Sequence, residues 1–415
     1  MIDFKINYSN IDLEKNKREI ISQKKLFDGI IDTINNQKSL NILNNDSDLF
    51  EIKKTANLFS EKYKNIVVLG TGGSNLGARS LINAKNIGLQ DNIFFFDNID
   101  PIFFKNSIKN FDIENTGFLV VSKSGHTPET LSQVSSILEI FYSKKMNNKI
   151  NENFIFITEK KESPLYKIGK DIECLILEHN KEIGGRYSIF SNVALLPASI
   201  AGLDIDLIRK GAKVFLNKII NNSSNYEIFL GAKIIADLYL KHSININVLM
   251  TYSDSLYFFG KWYLQLIAES TGKDQKGLTP IHSIGTTDQH SQLQLFLDGP
   301  KNKFFSIITT NHSKIGFTMN EKILSKNNSK FLAGKTMGDL MEAEQKATLT
   351  SLIDAGLPVR NIICKNFSEN TMGQLSFYFI IETIAICHII GVDPFTQPAV
   401  EKGKILTKKY LNLDN

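Results

Sequence analysis

Two α/β/α sandwiches in tandem, each built on a mainly parallel sheet and flanked by helices at both chain ends, are the fold that the sequence predicts. Three observations predict it. Short apolar runs of four or five residues end in glycine- or hydroxyl-bearing turns, helix-like segments follow those turns, and the pattern recurs in two series along 415 residues. An uninterrupted apolar run reads as a strand buried on both faces, the condition of a parallel sheet covered by helices. The length suffices for two domains with a core each.

Residues 11 to about 45 mix charges with spaced apolar positions, which suits one or two amphipathic helices. The first series of strands follows. Ile66-Val67-Val68-Leu69 ends in Gly70-Thr71-Gly72-Gly73-Ser74, Ile93-Phe94-Phe95-Phe96 closes at Asp97, Phe118-Leu119-Val120-Val121 at Ser122, and Phe154-Ile155-Phe156-Ile157 at Thr158. The second series holds Ile246-Asn247-Val248-Leu249-Met250, Phe304-Phe305-Ser306-Ile307-Ile308 and Val359-Arg360-Asn361-Ile362-Ile363. No linker of biased composition separates them, and the boundary is placed within 202–216. Residues 397–411 read as a final helix with Pro398 near its first turn. The division predicted is a helical segment 1–45, a first domain 46–205, a second domain 206–390 and a terminal helix 391–415.

Composition excludes several classes. Hydrophobic side chains make up 42% and charged ones 22%, the balance of a folded globular chain. The 48 Lys and Arg against 43 Asp and Glu leave +5, scattered along the chain, so no basic stripe tracks a nucleic acid. Cys174, Cys364 and Cys387 lack paired spacing, which argues against a disulfide framework or a zinc site and for buried thiols. The first residues lack the apolar stretch of a signal peptide, and the longest apolar stretch, 377–392, is broken by Glu382 and His388. A cytoplasmic protein without membrane or nucleic-acid partners is expected.

Ligands of an open parallel sheet sit at the carboxyl ends of its strands, where helix N-termini offer amide hydrogens to anions. Two loops fit. The first runs from Gly70 to Gly77. It lacks the dinucleotide fingerprint, because Asn75 stands where a third glycine is needed, and it lacks the closing Gly-Lys-Ser/Thr of a P-loop. The second, Ser122-Lys123-Ser124-Gly125-His126-Thr127, offers hydroxyl donors and one full charge, chemistry suited to a phosphate monoester. Its bland reading is a capped helix start, with Ser124 or Thr127 as N-cap and Pro128 at the first helical position. The two readings use the same helix end and can coexist.

Six strings in order, VVLGTGGSNLGARS, VVSKSGHTPET, EIGGRYSIFS, WYLQLIAESTGK, IGTTDQHSQLQLFLDGP and FTQPAVEKGK, resemble the phosphoglucose isomerase family in its shorter bacterial form. They span residues 67–404, and GGRYS and DQHSQLQL are the most specific. The resemblance implies two sugar-isomerase (SIS) domains. It also implies reversible isomerisation of glucose 6-phosphate and fructose 6-phosphate through a cis-enediolate, in glycolysis and gluconeogenesis, without cofactor or metal. It assigns the phosphate to Ser122, Lys123, Ser124 and Thr127, with Gly73 and Ser74 close to the sugar. Glu269 would move the proton, assisted by Gln265 one turn earlier. Arg186 would face the enediolate, His290 and Lys404 would open the ring, and Gln397 would line the pocket. A homodimer is implied, with His290 reaching the partner's site. His126 is a departure, since relatives commonly carry Thr or a similar small residue there.

The chemistry stands on its own terms. One carboxylate can remove a proton beside a carbonyl and return it to the next carbon, a positioned general base being worth roughly 10²–10⁴-fold. The negative oxygen formed midway needs a fixed cation, which Arg186 supplies if it stands clear of the base. Each assignment has a plain competitor. Glu269 could pair with Lys273 on a wet helix face. Arg186 could be a solvated loop residue, His290 a helix-start histidine beside Asp288, and Lys404 a solvent lysine. His242 and His312 lack any comparable setting and are expected at the surface.

Two other functions are weighed. Related enzymes that also accept mannose 6-phosphate share the fold and the base, but usually lack clear GGRYS and DQHSQLQL strings. A sugar-phosphate-sensing SIS regulator would carry a DNA-binding segment, and no helix-turn-helix with a basic face precedes Asn45. Glu269, His290 and Arg186 together also exceed what binding alone requires.

Overall fold

The structure, a computed structural model, describes residues 2–85, 92–221, 226–326 and 329–412. In chain order the strands are β1 (Phe4–Ser9), β2 (Asn65–Leu69), β3 (Ile93–Phe96), β4 (Thr116–Val121), β5 (Phe154–Thr158), β6 (Leu175–Glu178), β7 (Ile246–Thr251), β8 (Thr279–Ile284), β9 (Lys303–Thr309) and β10 (Val359–Cys364). They form two five-stranded sheets. The first has the order β3-β2-β4-β5-β6 and is parallel throughout. The second has the order β1-β10-β9-β7-β8, parallel except for β1. This is the mainly parallel, helix-covered α/β architecture that the apolar runs predict.

Alternation along the strands sorts side chains into three cores. Ile66 and Val68 of β2, Leu119 and Val121 of β4, Leu249 of β7 and Phe304 and Ile308 of β9 face one shared helical core between the sheets. Their neighbours Val67, Phe118 and Val120 face the outer helices of the first sheet, and Val248, Phe305 and Ile307 those of the second. The helix Glu369–Ile390 runs through the shared core, buried over nearly its whole length. It is long and apolar enough to cross a membrane, yet its apolar face is matched by protein here. Glu382, which interrupts the apolar stretch, forms an ion pair with Arg360 of β10, and Tyr378 donates to the same carboxylate at 3.0 Å. A buried carboxylate needs such partners, because unpaired it would carry a large desolvation cost.

The sequence reading finds the central strands and misses β1, β6 and β8, all of them edges. Unlike the fourth edge, β3, whose string is wholly apolar, these three expose part of their length and carry no apolar run of four residues. The string FKINYS of β1 alternates polar and apolar, LILE of β6 is half-exposed, and β8 carries Pro280 and His282. The expectation of a purely helical segment 1–45 is corrected by β1. It pairs antiparallel with β10, Phe4 opposite Cys364, so the first residues complete the second sheet. The helices Leu13–Ser22 and Lys24–Asn36 follow it. At the other end, Pro398–Val400 form one tight turn before the helix Glu401–Leu411.

Candidate active site

The two glycine- and hydroxyl-bearing loops leave the carboxyl ends of the adjacent strands β2 and β4, where Leu69 pairs with Val120. In the first loop Gly72 has φ +56°, a conformation side chains resist. A Cβ on Gly73 would collide with the backbone of Gly185. The loop 70–77 is thereby pressed against the Gly184-Gly185-Arg186 turn, and Ser188 Oγ donates to Gly73 O at 3.1 Å. Asn75 is buried and its amide donates to Gly70 O at 2.6 Å, closing the turn where a dinucleotide loop would open for a pyrophosphate.

In the second loop Gly125 has φ +68° and packs against Ser163, leaving no room for a Cβ. Thr127 is the N-cap of the helix Pro128–Ser143, with Pro128 in its first turn as the sequence predicts. The Thr127 side chain makes no cap hydrogen bond to that helix. Thr127 Oγ1 lies 2.9 Å from Ser122 Oγ instead, so the first-turn amides remain free of a capping side chain. Ser124 is exposed, and its carbonyl accepts from His126 Nδ1–H at 2.8 Å, which leaves Nε2 as the ring's second nitrogen. Lys123 is half-buried. Burial holds its ammonium below the ordinary lysine range, Glu159 opposes this, and Lys161 and Arg186 reinforce it. An anion placed in the loop would relieve the repulsion among these cations.

Glu269 and Gln265 are four residues apart on one face of the helix Tyr257–Thr271, whose far side buries Tyr263 and Ile267 and whose flanks bury Phe259, Trp262 and Leu266. Gln265 Nε2 donates to Glu269 Oε1 at 2.9 Å, and Gln265 also approaches Gly72 of the first loop. Its own Oε1 is buried without a partner, an acceptor left over in the site. Arg186 is 1% exposed and held at every nitrogen. Nε donates to Ser270 Oγ at 2.9 Å, Nη1 to Gln397 Oε1 at 2.7 Å, and Nη2 to Pro394 O at 2.6 Å and Thr396 O at 3.3 Å. Nη1 also donates to Glu269 Oε2 at 3.1 Å.

The condition that Arg186 stand clear of the carboxylate is therefore not met. The solvated-loop alternative for Arg186 also falls away, since the residue is buried and bonded throughout. The Glu269–Lys273 pairing is not formed either. Lys273 Nζ donates to the main-chain carbonyls of Glu269 and Ser270, at 2.8 and 2.6 Å, capping the helix that carries the carboxylate. The Glu269 side chain stays 34% exposed, open to a ligand.

The structure gathers Gln265, Glu269, Arg186 and Gln397 around one point, reaches towards Lys123 through the field of Arg186, and sets Gly73 against Gly185, the residue before Arg186. Ser74 lies half-buried in the first loop. His290 and Lys404 do not join the cluster within one chain. His290 is exposed after the short turn Thr287–Gln289; the neighbouring Asp288 carboxylate accepts instead from Ile284 N and Ser291 Oγ. Lys404 is exposed and pairs with Glu401 at 2.6 Å. Among the remaining histidines His242 is exposed, and His312 is half-buried, its Nε2–H donating to Tyr252 O at 2.8 Å. Cys364 and Cys387 are buried and Cys174 half-buried, and burial pushes all three thiols up to about 12.

Sequence reasoning passes over Ser270 and Tyr187. Ser270 Oγ takes the Arg186 Nε–H and lies 3.0 Å from Tyr187 Oη, which donates to Pro394 O. Burial pushes the Tyr187 hydroxyl up to about 12, so it remains a donor. Both residues adjoin assigned ones, Glu269 and Arg186, and that adjacency is the only signal the sequence offers for them. Among the described residues no three His, Cys, Asp or Glu side chains cluster as a metal ion would need.

A model of the phosphoglucose isomerase family matches residues 43–414. The glucose-6-phosphate isomerase of Carboxydothermus hydrogenoformans is 32% identical over 386 residues, covering 88% of this chain and 82% of its own. That of Campylobacter jejuni is 35% identical over 367 residues, covering 85% and 86%. Among solved structures, a hypothetical protein of Thermus thermophilus superposes with a TM-score of 0.87 at 26% identity, over 98% of this chain and all of that one. A glucose-6-phosphate isomerase of Chlamydia trachomatis gives 0.83 at 19% identity, over 99% and 89%, a likeness of fold.

Proposed function

The chain belongs to the phosphoglucose isomerase family, and from that premise we infer that it interconverts glucose 6-phosphate and fructose 6-phosphate without a cofactor. The observation that carries the residue assignment is the carboxylate of Glu269, one-third exposed and aimed by Gln265 on one oxygen and Arg186 on the other. A base fixed at both oxygens loses little orientational freedom on meeting substrate. In the reading we propose, the phosphoryl group lodges among Ser122, Lys123, Ser124, Thr127 and the free amides of the following helix. The carbon next to the carbonyl then lies against Glu269, beside Gly73 and Ser74.

Glu269 takes the proton from C2 of the aldose or C1 of the ketose and returns it to the other carbon. The electron pair left by the C–H bond moves into the carbon–carbon bond and places negative charge on the former carbonyl oxygen; as the proton returns to the other carbon, the neighbouring hydroxyl passes its proton to that oxygen and becomes the new carbonyl. Arg186 serves that oxygen. Its five hydrogen bonds hold its charge in place, and because all five N–H groups are engaged, a hydrogen bond to that oxygen takes over the one now given to Glu269. Its contact with Glu269 at 3.1 Å fixes one carboxylate oxygen, while the side chain stays 34% exposed to meet substrate. Once the enediolate forms, Arg186 has a second anion to serve.

Ring opening is assigned to His290 and Lys404, and with it a homodimer in which His290 serves the partner's site. Three features support the dimer. His290 is exposed and bonds to no member of the Glu269 cluster, the helix Glu401–Leu411 buries none of its residues, and Ile405, Tyr410, Ile315, Phe317 and Phe331 expose apolar surface. A cytoplasmic location accompanies the reading. Purified protein supplied with fructose 6-phosphate should generate glucose 6-phosphate with neither metal nor nucleotide added. Absence of turnover, with and without added metals, would remove the assignment. Mixed dimers of His290→Asn and Glu269→Gln variants should regain part of the activity, and no recovery after proven subunit exchange would remove the shared site.

A further inference from the structure

Away from this cluster, a groove of about 650 Å³ lies between the helices Pro101–Ile108 and Pro128–Ser143, on the outer face of the first sheet. Its size falls in the range of small-molecule sites, roughly 300–1,000 Å³. Phe104, Phe111 and Ile140 give it an apolar floor continuous with the outer core. Lys105, Lys109 and Lys144 line its rim, and no acidic side chain does. Among the described residues none of these three ammonium groups has a hydrogen bond or an ion pair, although 43 Asp and Glu are available to the chain. Three unpaired cations around one greasy trough form an electrostatic trap for an anion with an apolar body.

A buried polar group adds a third requirement. Gln133 lines the groove and is 3% exposed. Both hydrogens of its amide have partners, Nε2 donating to Phe96 O at 3.2 Å and Asn98 O at 3.0 Å. The side-chain oxygen accepts no hydrogen bond among the described residues, and it is the atom left to meet a ligand. An apolar floor, a cationic rim and a lone acceptor at the wall specify different parts of one small molecule.

We propose that this groove is a binding site for an amphipathic anion, one with an acyl or aryl body, a carboxylate head and an N–H or O–H donor between them. The site is independent of the isomerase reading, because none of its residues belongs to the Glu269 cluster or the 122–127 loop. An N-acyl amino acid is the simplest molecule with all three parts.

The test is calorimetric titration of the full-length protein with N-octanoylglycine. Saturable binding of one equivalent is expected. The triple variant Lys105→Ser/Lys109→Ser/Lys144→Ser, altered only at exposed positions, should weaken it at least tenfold while isomerase turnover stays unchanged. Replacing the ligand's N–H by N–CH3, as in N-octanoylsarcosine, should weaken it severalfold through Gln133. Lack of saturation at millimolar ligand would overturn the proposal, as would equal affinity for the neutral glycinamide analogue or undiminished binding by the triple variant. Displacement by fructose 6-phosphate would place the probe at the isomerase cluster and overturn it equally.

Discussion

Replacing Glu269 by Gln removes the proposed base with almost no change of shape, and the surroundings can absorb the change. The new amide needs an acceptor where Gln265 Nε2 now donates to Oε1. Gln265 carries one, because its own buried Oε1 lacks a partner, so a half-turn of its amide restores the contact. The amide oxygen of the variant still accepts from Arg186. Arg186 in any case keeps Ser270, Gln397, Pro394 and Thr396, and holds its position. The loss is therefore one of basicity. General base catalysis of roughly 10²–10⁴-fold corresponds to about 3–5 kcal/mol of barrier. Turnover from fructose 6-phosphate should fall by that factor, read through a dehydrogenase specific for glucose 6-phosphate, with KM within about threefold of the parent. Thermal unfolding should be unmoved, and exchange of the substrate's C2 hydrogen with solvent should slow in step with turnover. A variant retaining more than about one-third of parental kcat would refute the assignment of the base.

Three further outcomes follow from the same geometry. Lys123→Ala should raise KM about ten- to a hundredfold with a smaller change in kcat, since a charged hydrogen bond contributes roughly 1.5–3 kcal/mol; an unchanged KM would detach the loop from the phosphate. Lys273→Met should lower kcat roughly three- to tenfold at constant KM, with recovery in Lys273→Arg, because the capped turn aims Glu269; a change confined to thermal stability would reduce Lys273 to a structural cap. Stability should decline as pH falls from about 6.5 towards 4. Burial holds His179 and His282 at about 4, so the unfolded chain takes up protons first, and the gap is worth on the order of 3 kcal/mol for each ring. Denaturant midpoints at pH 7.5 and 5 measure this, and a His282→Asn variant should flatten the dependence. Equal midpoints at both pH values would contradict it.

Both loops were legible as candidate anion sites because a strand end, glycines and hydroxyls occupy neighbouring positions in the chain. The pair Gln265 and Glu269 was legible for a similar reason, since four residues on a helix share a face. Arg186 shows where that kind of inference stops. Its five partners lie at Glu269, Ser270, Pro394, Thr396 and Gln397, some 80 to 210 positions away. Neither the direct contact with the carboxylate nor the anchoring by Ser270 has any trace in local spacing. The same holds for Lys273, whose neighbour in sequence terms is the Glu269 side chain but whose hydrogen bonds go to main-chain carbonyls.

Residues taken alone determined the alternation of buried strands and helices and the chemistry of each loop, because hydrophobic periodicity and turn composition are properties of neighbouring residues. The tertiary structure decided what contiguous spacing cannot encode. It put β1 beside β10, set edge strands whose half-exposed faces blur the apolar signal, and brought the guanidinium of Arg186 against the carboxylate of Glu269. Those outcomes depend on which distant surfaces bury one another, and burial is settled only when the whole chain has packed.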